Sequence, residues 1–190
     1  MQPKFIPPVT NRSAPRKFSG TLVAIVVGIV AVMAIGGGLL LALTTKSPVS
    51  SMDQLNARMT ALSSYVDEGS KSARNPDVVK LNSDARIIIN GDLNTLKTAT
   101  TAAGAKGASK DVVASEKALG TTTLKELQKA AIDGRFDREY LSTMRDQLES
   151  TQSLLAVVNK EASQAKVKDA TKNAYEHLTT ILESIKRIRL

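Results

Sequence analysis

The strongest pattern in the chain is a continuous apolar segment near its N-terminus. Every residue from Leu22 to Leu43 is apolar or glycine, including Gly28 and Gly36. As an α-helix this segment is about 33 Å long, which matches the hydrocarbon core of a bilayer at about 30 Å. The pattern therefore predicts a transmembrane helix over residues 21–44, with the lipid bilayer as a partner of the chain.

The residues before the apolar segment indicate the orientation of the chain. Residues 1–20 contain four basic side chains, no acidic ones and several prolines, which predicts a disordered basic tail. The positive-inside rule assigns this tail to the cytoplasm and the C-terminal domain to the extracytoplasmic side. A cleaved signal peptide is the alternative, but its apolar region is usually shorter, and residues 42–44 form a poor cleavage site. We therefore expect a single-pass anchor in the cell membrane.

Small residues recur four positions apart within the apolar segment. This spacing lets two membrane helices approach closely, so it predicts self-association through the transmembrane helix. The alternative is that glycine and alanine are ordinary constituents of membrane helices. The residues concerned are Gly20, Ala24 and Gly28, followed by Ala34, Gly38 and Ala42.

Beyond a linker at residues 45–51, the pattern changes to that of amphipathic helices. Across residues 52–190, apolar positions recur every three or four residues, which gives each helix one apolar face. The predicted fold class is therefore all-α, with the transmembrane helix followed by an antiparallel bundle of four to five helices. The first face comprises Met52, Leu55, Met59, Leu62 and Val66, and the third comprises Val112, Val113, Leu119, Leu124, Leu127 and Ala131.

Capping residues predict where the first two helices of the bundle begin and end. Ser50 or Ser51 is expected to cap the first helix, which runs to about Arg74. Asn75 caps the second helix, with Pro76 in its first turn.

Glycines are expected to interrupt or end helices. Gly91 with Asp92 weakens the middle of the second helix, and Gly120, followed by three threonines, splits the third. Residues 104–109 form a loop between these helices, and Gly134 ends the third helix.

The last two helices are predicted from caps and periodicity. Asp137 is expected to cap the fourth helix, with Phe136 and Leu141 in the positions of a hydrophobic staple. The join near residues 162–165 contains neither glycine nor proline, so one continuous helix is the alternative to two. A turn capped by Ser163 is favoured, because both halves need an apolar partner.

Composition excludes several classes of function. The formal net charge is +8, but residues 45–190 contain 22 basic and 18 acidic side chains, mixed along the sequence. Without a basic stripe interleaved with aromatic residues, we expect no nucleic-acid partner. The chain has no cysteine, one histidine and no Glu-x-x-His motif, so thiolate sites and ferritin-type di-iron centres are excluded. We expect no cofactor and no enzymatic activity.

The segment Gly-Arg-Phe-Asp-Arg-Glu-Tyr-Leu at residues 134–141, followed by Met144, resembles the central motif of a bacterial family of domains of unknown function, number 4142. Further similarity lies at residues 75–81 and 176–178. The resemblance covers roughly residues 52–188 and implies a ferritin-like, periplasmic helical bundle. The matching motif residues are Gly134, Phe136, Asp137, Tyr140 and His177.

The chain departs from that family at two positions where members commonly carry histidine. These positions correspond to Ile89 and Leu148, both of which fall on predicted core faces. Of the family's histidines only His177 remains, and it borders the apolar face of the last helix. The resemblance therefore implies a fold and a location more than a chemistry.

Together these features predict a membrane-anchored helical bundle that binds or scaffolds at the cell envelope, with an envelope protein as partner. Exposed lysines are candidate contacts, although a solvated surface explains them equally well. A metal-binding or enzymatic remnant is one alternative, using His177 with Glu176, Glu183 or Asp146. A sensor that signals through a partner protein is another. The lysines are Lys97, Lys106, Lys110, Lys117 and Lys125.

Overall fold

A computed structural model describes residues 48–103 and 110–190 of the chain. The predicted tail and transmembrane helix, with Leu22, Gly28, Gly36 and Leu43, lie outside the described residues, as does the predicted loop at 104–109. None of the helices described is long and apolar enough to cross a membrane.

The described residues form five α-helices and contain no strand, which confirms the predicted all-helical bundle. Contacts between the helices define a ring of four, α1–α2–α5–α4, in which each helix is antiparallel to its neighbours. The remaining helix, α3, packs outside the ring against α1 and α4. The helices are α1 (Pro48–Ser72), α2 (Pro76–Ala102), α3 (Lys110–Ile132), α4 (Phe136–Glu161) and α5 (Ala165–Arg187).

The core of the bundle follows the predicted apolar faces of the ring helices. All five predicted residues of α1 are buried, from Met52 to Val66. Ile89 and Leu148, where the resembled family carries histidine, are fully buried among apolar side chains. Burial of this kind stabilises a fold by about 25 cal/mol for each Å² of apolar surface removed from water. The three-and-four periodicity therefore identified the inside of the ring correctly.

The start of α1 differs from the prediction. The helix begins at Pro48, inside the predicted linker, rather than after a serine cap. Proline fits the first turn of a helix because the N–H that it lacks would have no partner there. Ser51 is therefore a helical residue and is buried. The helix also ends at Ser72, two residues before the predicted boundary.

The α1–α2 turn forms as predicted, and α2 then runs without a break. The side-chain oxygen of Asn75 accepts hydrogen bonds from the backbone N–H groups of Asp77 and Val78, with Pro76 in the first turn. The predicted weakness at Gly91 does not interrupt the helix, which continues through it. Asp92 is buried rather than helix-breaking, because its carboxylate has a partner on α5.

The prediction for α3 fails in two respects. The helix is continuous through Gly120, whose missing side chain allows close packing: a Cβ there would lie 2.9 Å from the Cβ of Ala61 on α1. Its predicted apolar face is only partly covered: Leu127 is buried, Val113 and Leu119 are exposed, and the other three residues are half-buried. The reason is that α3 lies outside the ring, where it contacts only α1 and α4 among the described helices to any extent.

Gly134 ends α3 as predicted, with a positive φ of 70° that favours glycine. The predicted cap of α4 is wrong. The helix already begins at Phe136, and its N-cap residue, Arg135, makes no side-chain capping bond. Asp137 lies in the first turn and instead accepts hydrogen bonds from the backbone N–H groups of Arg74 and Asn75, at 3.0 and 2.9 Å. It therefore caps the turn between α1 and α2, which lies at the same end of the bundle as the start of α4.

The α4–α5 turn is present, so the continuous-helix alternative is wrong. The predicted Ser163 cap is also wrong, because the N-cap position is Gln164 and makes no side-chain capping bond. Hydrogen bonds from one α4 side chain to α5 stabilise this turn: Asn159 donates to the carbonyl of Lys168 at 2.7 Å and to Thr171 Oγ1 at 2.8 Å.

Candidate binding face between α2 and α5

A hydrogen-bonded pair of titratable side chains joins the middle of α2 to the middle of α5. His177 Nδ1 lies 2.8 Å from Oδ1 of Asp92. The histidine side chain is half exposed, whereas that of Asp92 is 8% exposed. Because an ionised carboxylate can only accept, Nδ1 carries the proton and Nε2 is the available ring nitrogen. The partner of His177 is therefore a residue of the neighbouring helix and none of the three predicted carboxylates.

The environment of Asp92 is costly for a carboxylate. Burial raises its pKa above the usual value of 3.8, while the hydrogen bond and the charge interaction with His177 lower it. Its second oxygen, Oδ2, is buried and has no hydrogen-bond partner among the residues that the structure describes. A buried acceptor without a partner costs roughly 1–3 kcal/mol. No local pattern predicted this pair, because Asp92 was interpreted as a residue that weakens its helix.

An open cleft of about 660 Å³ lies between α2 and α5 on the side of the α1–α2 turn. Its floor is apolar and includes Leu81, Ala85 and Ile181. Its lining also contains Ile87, whose side chain is 74% exposed, and charged residues from both helices. We call this feature the upper cleft. Ile88 and Ile188, both half-buried, line the same cleft, so Ile87 belongs to an apolar patch, the kind of surface that binds partners.

A second open cleft, of about 500 Å³, lies between α2 and α5 on the side of the α4–α5 turn. Its apolar lining consists of the alanines at 99, 102 and 170, and its polar lining includes Asn94, Asn173, Lys166 and Asp169. This lower cleft is separated along both helices from the upper one by Asp92 and His177. The α2–α5 face therefore combines an apolar depression, a central Asp–His pair and a polar depression.

The family-motif residues lie mainly at one end of the bundle and have structural contacts. Gly134 shapes the α3–α4 turn, and Phe136 stacks on Tyr140 with ring centroids 5.3 Å apart. The Tyr140 hydroxyl donates to Asn82 Oδ1, and burial raises the pKa of this tyrosine. The fifth motif residue, His177, lies apart from them on the α2–α5 face. The structure thus does not bring the five residues into one site.

A buried ion pair that the sequence did not predict holds α3 against the ring. Arg58 Nη2 donates to Oε1 of Glu116 at 2.6 Å, and Arg58 Nε donates to Oε2 at 3.1 Å. Gln54 donates to the same Oε1 at 2.7 Å, and Arg58 also donates to Ser150 Oγ of α4. Both charged side chains are less than a tenth exposed. Their spacing in sequence is 58 residues, so no local pattern could reveal the pair.

The predicted lysine contacts remain surface residues. Lys97, Lys110, Lys117 and Lys125 are exposed, and Lys106 lies outside the described residues. Within residues 51–103 and 110–190, no group of three or more histidine, cysteine, aspartate or glutamate side chains could hold a metal ion.

The fold and face together define an antiparallel four-helix ring with one external helix and a grooved α2–α5 surface. Comparison with known proteins adds no assignment, since the chain matches no protein-family model, no curated protein and no solved structure.

Proposed function

We propose that the chain is a single-pass envelope protein whose extracytoplasmic bundle binds another protein through the α2–α5 face. The anchor is supported by the uncharged segment at residues 22–43 and the basic tail before it. Binding is supported above all by the exposure of Ile87 beside the apolar floor of the upper cleft. Covering that surface would gain about 25 cal/mol for each Å² removed from water.

Tethering is the mechanism by which such a protein works without catalysis. A bilayer anchor confines the bundle to a thin layer, which raises its effective concentration for partners in the same membrane. Even a small interface is then occupied, because the second contact is formed between molecules already held close together. The proposed role is therefore scaffolding or partner capture at the cell envelope.

We further propose membership of the resembled family on structural grounds. The motif residues Gly134, Phe136, Asp137 and Tyr140 serve one junction, where the α3–α4 turn meets the α1–α2 turn. Residues that hold a junction together are expected to recur in proteins that share a fold, whatever their chemistry.

Proximity labelling from the full chain in its native cells tests the proposed function. We expect a neighbour that is labelled by the natural chain and lost in Ile87→Glu, which buries a charge in any apolar interface. Ile132→Glu is the matched control, because Ile132 is 88% exposed at the end of α3, away from this face. Equal labelling by both variants would contradict binding through the α2–α5 face.

Anchoring is tested separately in the same cells. We expect the chain to stay with membranes after alkaline extraction and its C-terminal region to be digested by protease added to intact spheroplasts. A chain released by extraction would contradict the anchor, and a C-terminal region protected from protease would contradict the orientation.

Chemistry at His177 is the second candidate, because the Asp92 hydrogen bond orients its imidazole as in acid–base or metal sites. Stoichiometric metal in the purified chain, lost in His177→Ala, would favour this candidate over scaffolding.

A further inference from the structure

We infer that the upper cleft binds a second copy of this chain, forming a twofold dimer through the α2–α5 faces. This inference rests on the proposed function and names the partner of the proposed binding face. A twofold interface requires one patch that carries both a projection and a depression. Here Ile87 projects beside the floor formed by Leu81 and Ile181, so each copy carries both a projecting side chain and a depression that can receive that of the other copy.

The charges around the upper cleft are arranged in a self-complementary way. The α2 side carries two acids, Asp77 and Asp84, and one lysine, Lys80, whereas the α5 side carries Arg187. A twofold axis parallel to the helices brings α2 of one copy opposite α5 of the other, so that Asp84 of each copy faces Arg187 of its partner copy. Opposite charges that meet at an interface favour the matching partner and register.

The acid and base concerned are available for such contacts. Neither Asp84 nor Arg187 forms a salt bridge with any residue in the part of the chain that the structure describes. Neighbouring charges do pair locally, as Arg86 does with Asp67 at 3.0 Å and Lys186 with Glu183 at 2.8 Å. Asp84 and Arg187 are thus not held in local salt bridges, although the charge of Arg187 contributes to lowering the pKa of Glu183.

A second copy fits the mixed signs of this rim better than a lipid surface does. Anionic headgroups select clusters of basic residues, whereas the upper cleft alternates acids and bases. The proposed anchor also favours pairing, because copies in one bilayer share an orientation and a high effective concentration. Independently, the small residues Gly20, Ala24 and Gly28 predict association of the same chain within the membrane.

Single-cysteine cross-linking tests the dimer on the full chain in its membrane, because the natural chain has no cysteine. Ile87→Cys lies at the proposed interface, and Ile132→Cys is the matched control at an exposed position outside it. With a short bis-maleimide, we expect Ile87→Cys to give a covalent band at twice the chain mass. The yield should exceed that of Ile132→Cys by about fivefold or more, since one pair of residues is held together.

Charge reversal then tests the pairing that the rim predicts. In the Ile87→Cys background, Asp84→Arg should lower the dimer yield about fivefold, because it places two arginines opposite each other. The double change Asp84→Arg with Arg187→Asp should restore it. A merely structural effect of either substitution would not be reversed by the second.

Three outcomes would overturn the dimer: equal yields for the two cysteine positions, an Ile87→Cys product of a different mass, or no restoration by the double change. The proposed function fails differently. Release of the chain by alkaline extraction contradicts the anchor whatever the cross-links, whereas a retained chain without an Ile87→Cys dimer contradicts only the second copy as partner.

Discussion

Removing the carboxylate of Glu116 is expected to weaken the fold more than any surface substitution on α3. The Glu116→Ala change leaves Arg58 buried at 9% exposure without its charged partner. Its remaining contact is Ser150, whose Oγ accepts from Nη1 at 2.7 Å. Breaking one side of a buried ion pair typically costs about 3–5 kcal/mol. Since Arg58 keeps the Ser150 contact, we expect a loss of about 3 kcal/mol in the free energy of unfolding.

A loss of this size is readily measured, because the free energy of unfolding of a whole domain is only about 5–15 kcal/mol. The assay is urea unfolding of the full chain in detergent, followed by far-UV circular dichroism. Glu126→Ala is the matched control: it is an exposed acid on the same helix and should change stability by less than about 0.5 kcal/mol.

Replacing both partners separates a charge effect from a packing effect. The triple change Gln54→Leu, Arg58→Met and Glu116→Leu removes both buried charges and the buried amide that donates to Glu116, and it keeps similar volumes, so we expect it to be neutral or stabilising. Two results would refute a role for the ion pair: a loss for Glu116→Ala as small as that for Glu126→Ala, or a triple variant that loses as much stability as Glu116→Ala.

Three further predictions use matched or internal controls, each measured by denaturant unfolding. Gly120→Ala should not stabilise the fold, because the added Cβ would lie 2.9 Å from an α1 side chain. Gly91→Ala has nothing within 4 Å of the added Cβ, so it should raise the free energy of unfolding by about 0.5–1 kcal/mol. Equal gains for the two variants would contradict close packing of α3. Asp137→Ala should lower the free energy of unfolding by about 1–2 kcal/mol, because two backbone N–H groups of the α1–α2 turn lose their acceptor. Asp133→Ala should lower it much less, and similar losses for the two variants would argue against a cap between helices. Burial raises the pKa of Asp92 above 3.8, so the folded state binds the proton of this carboxyl more tightly than the unfolded state does, and the contribution of Asp92 to stability falls as pH rises from below 3.8 through the folded pKa. The stability of the natural chain relative to Asp92→Asn should therefore fall over that range by at most about 1.4 kcal/mol per pH unit. A parallel pH dependence of the two proteins would refute this expectation.

The ring of the bundle could be predicted because its information is local. The apolar residues of α1, from Met52 to Val66, repeat at the spacing of a helix face, and Asn75 with Pro76 marks a helix start in two adjacent residues. The prediction of a helix cap from local sequence was wrong where the side chain instead bonds to another helix or turn. Asp137 reads as the cap of its own helix, but its carboxylate lies against the backbone of Arg74 and Asn75, more than 60 positions away in sequence.

The candidate face was beyond sequence analysis for the same reason. His177 could be placed at the border of an apolar stripe, yet its partner Asp92 is 85 residues away, whereas the three acidic rivals proposed for it are nearer in sequence. Glu183, one of those rivals, instead pairs with Lys186, whose hydrogen bond lowers the pKa of that carboxyl. Which acid meets the histidine depends on the registration of α2 against α5, and no local pattern encodes it.

The external position of α3 explains why its prediction failed and why its contacts are polar. A ring of four helices already closes the apolar core, so a fifth helix finds little apolar surface left to cover, and α3 buries only Glu116, Leu127 and Ala130 within its described length. Apolar contact alone would specify its position weakly, because so few of its apolar side chains are fully buried. A buried ion pair specifies it strongly, because any shift along the ring would leave one charge buried without its partner. We therefore expect the variant with Gln54→Leu, Arg58→Met and Glu116→Leu to keep its stability while α3 loses register, which faster amide hydrogen exchange confined to α3 would reveal and unchanged exchange would refute.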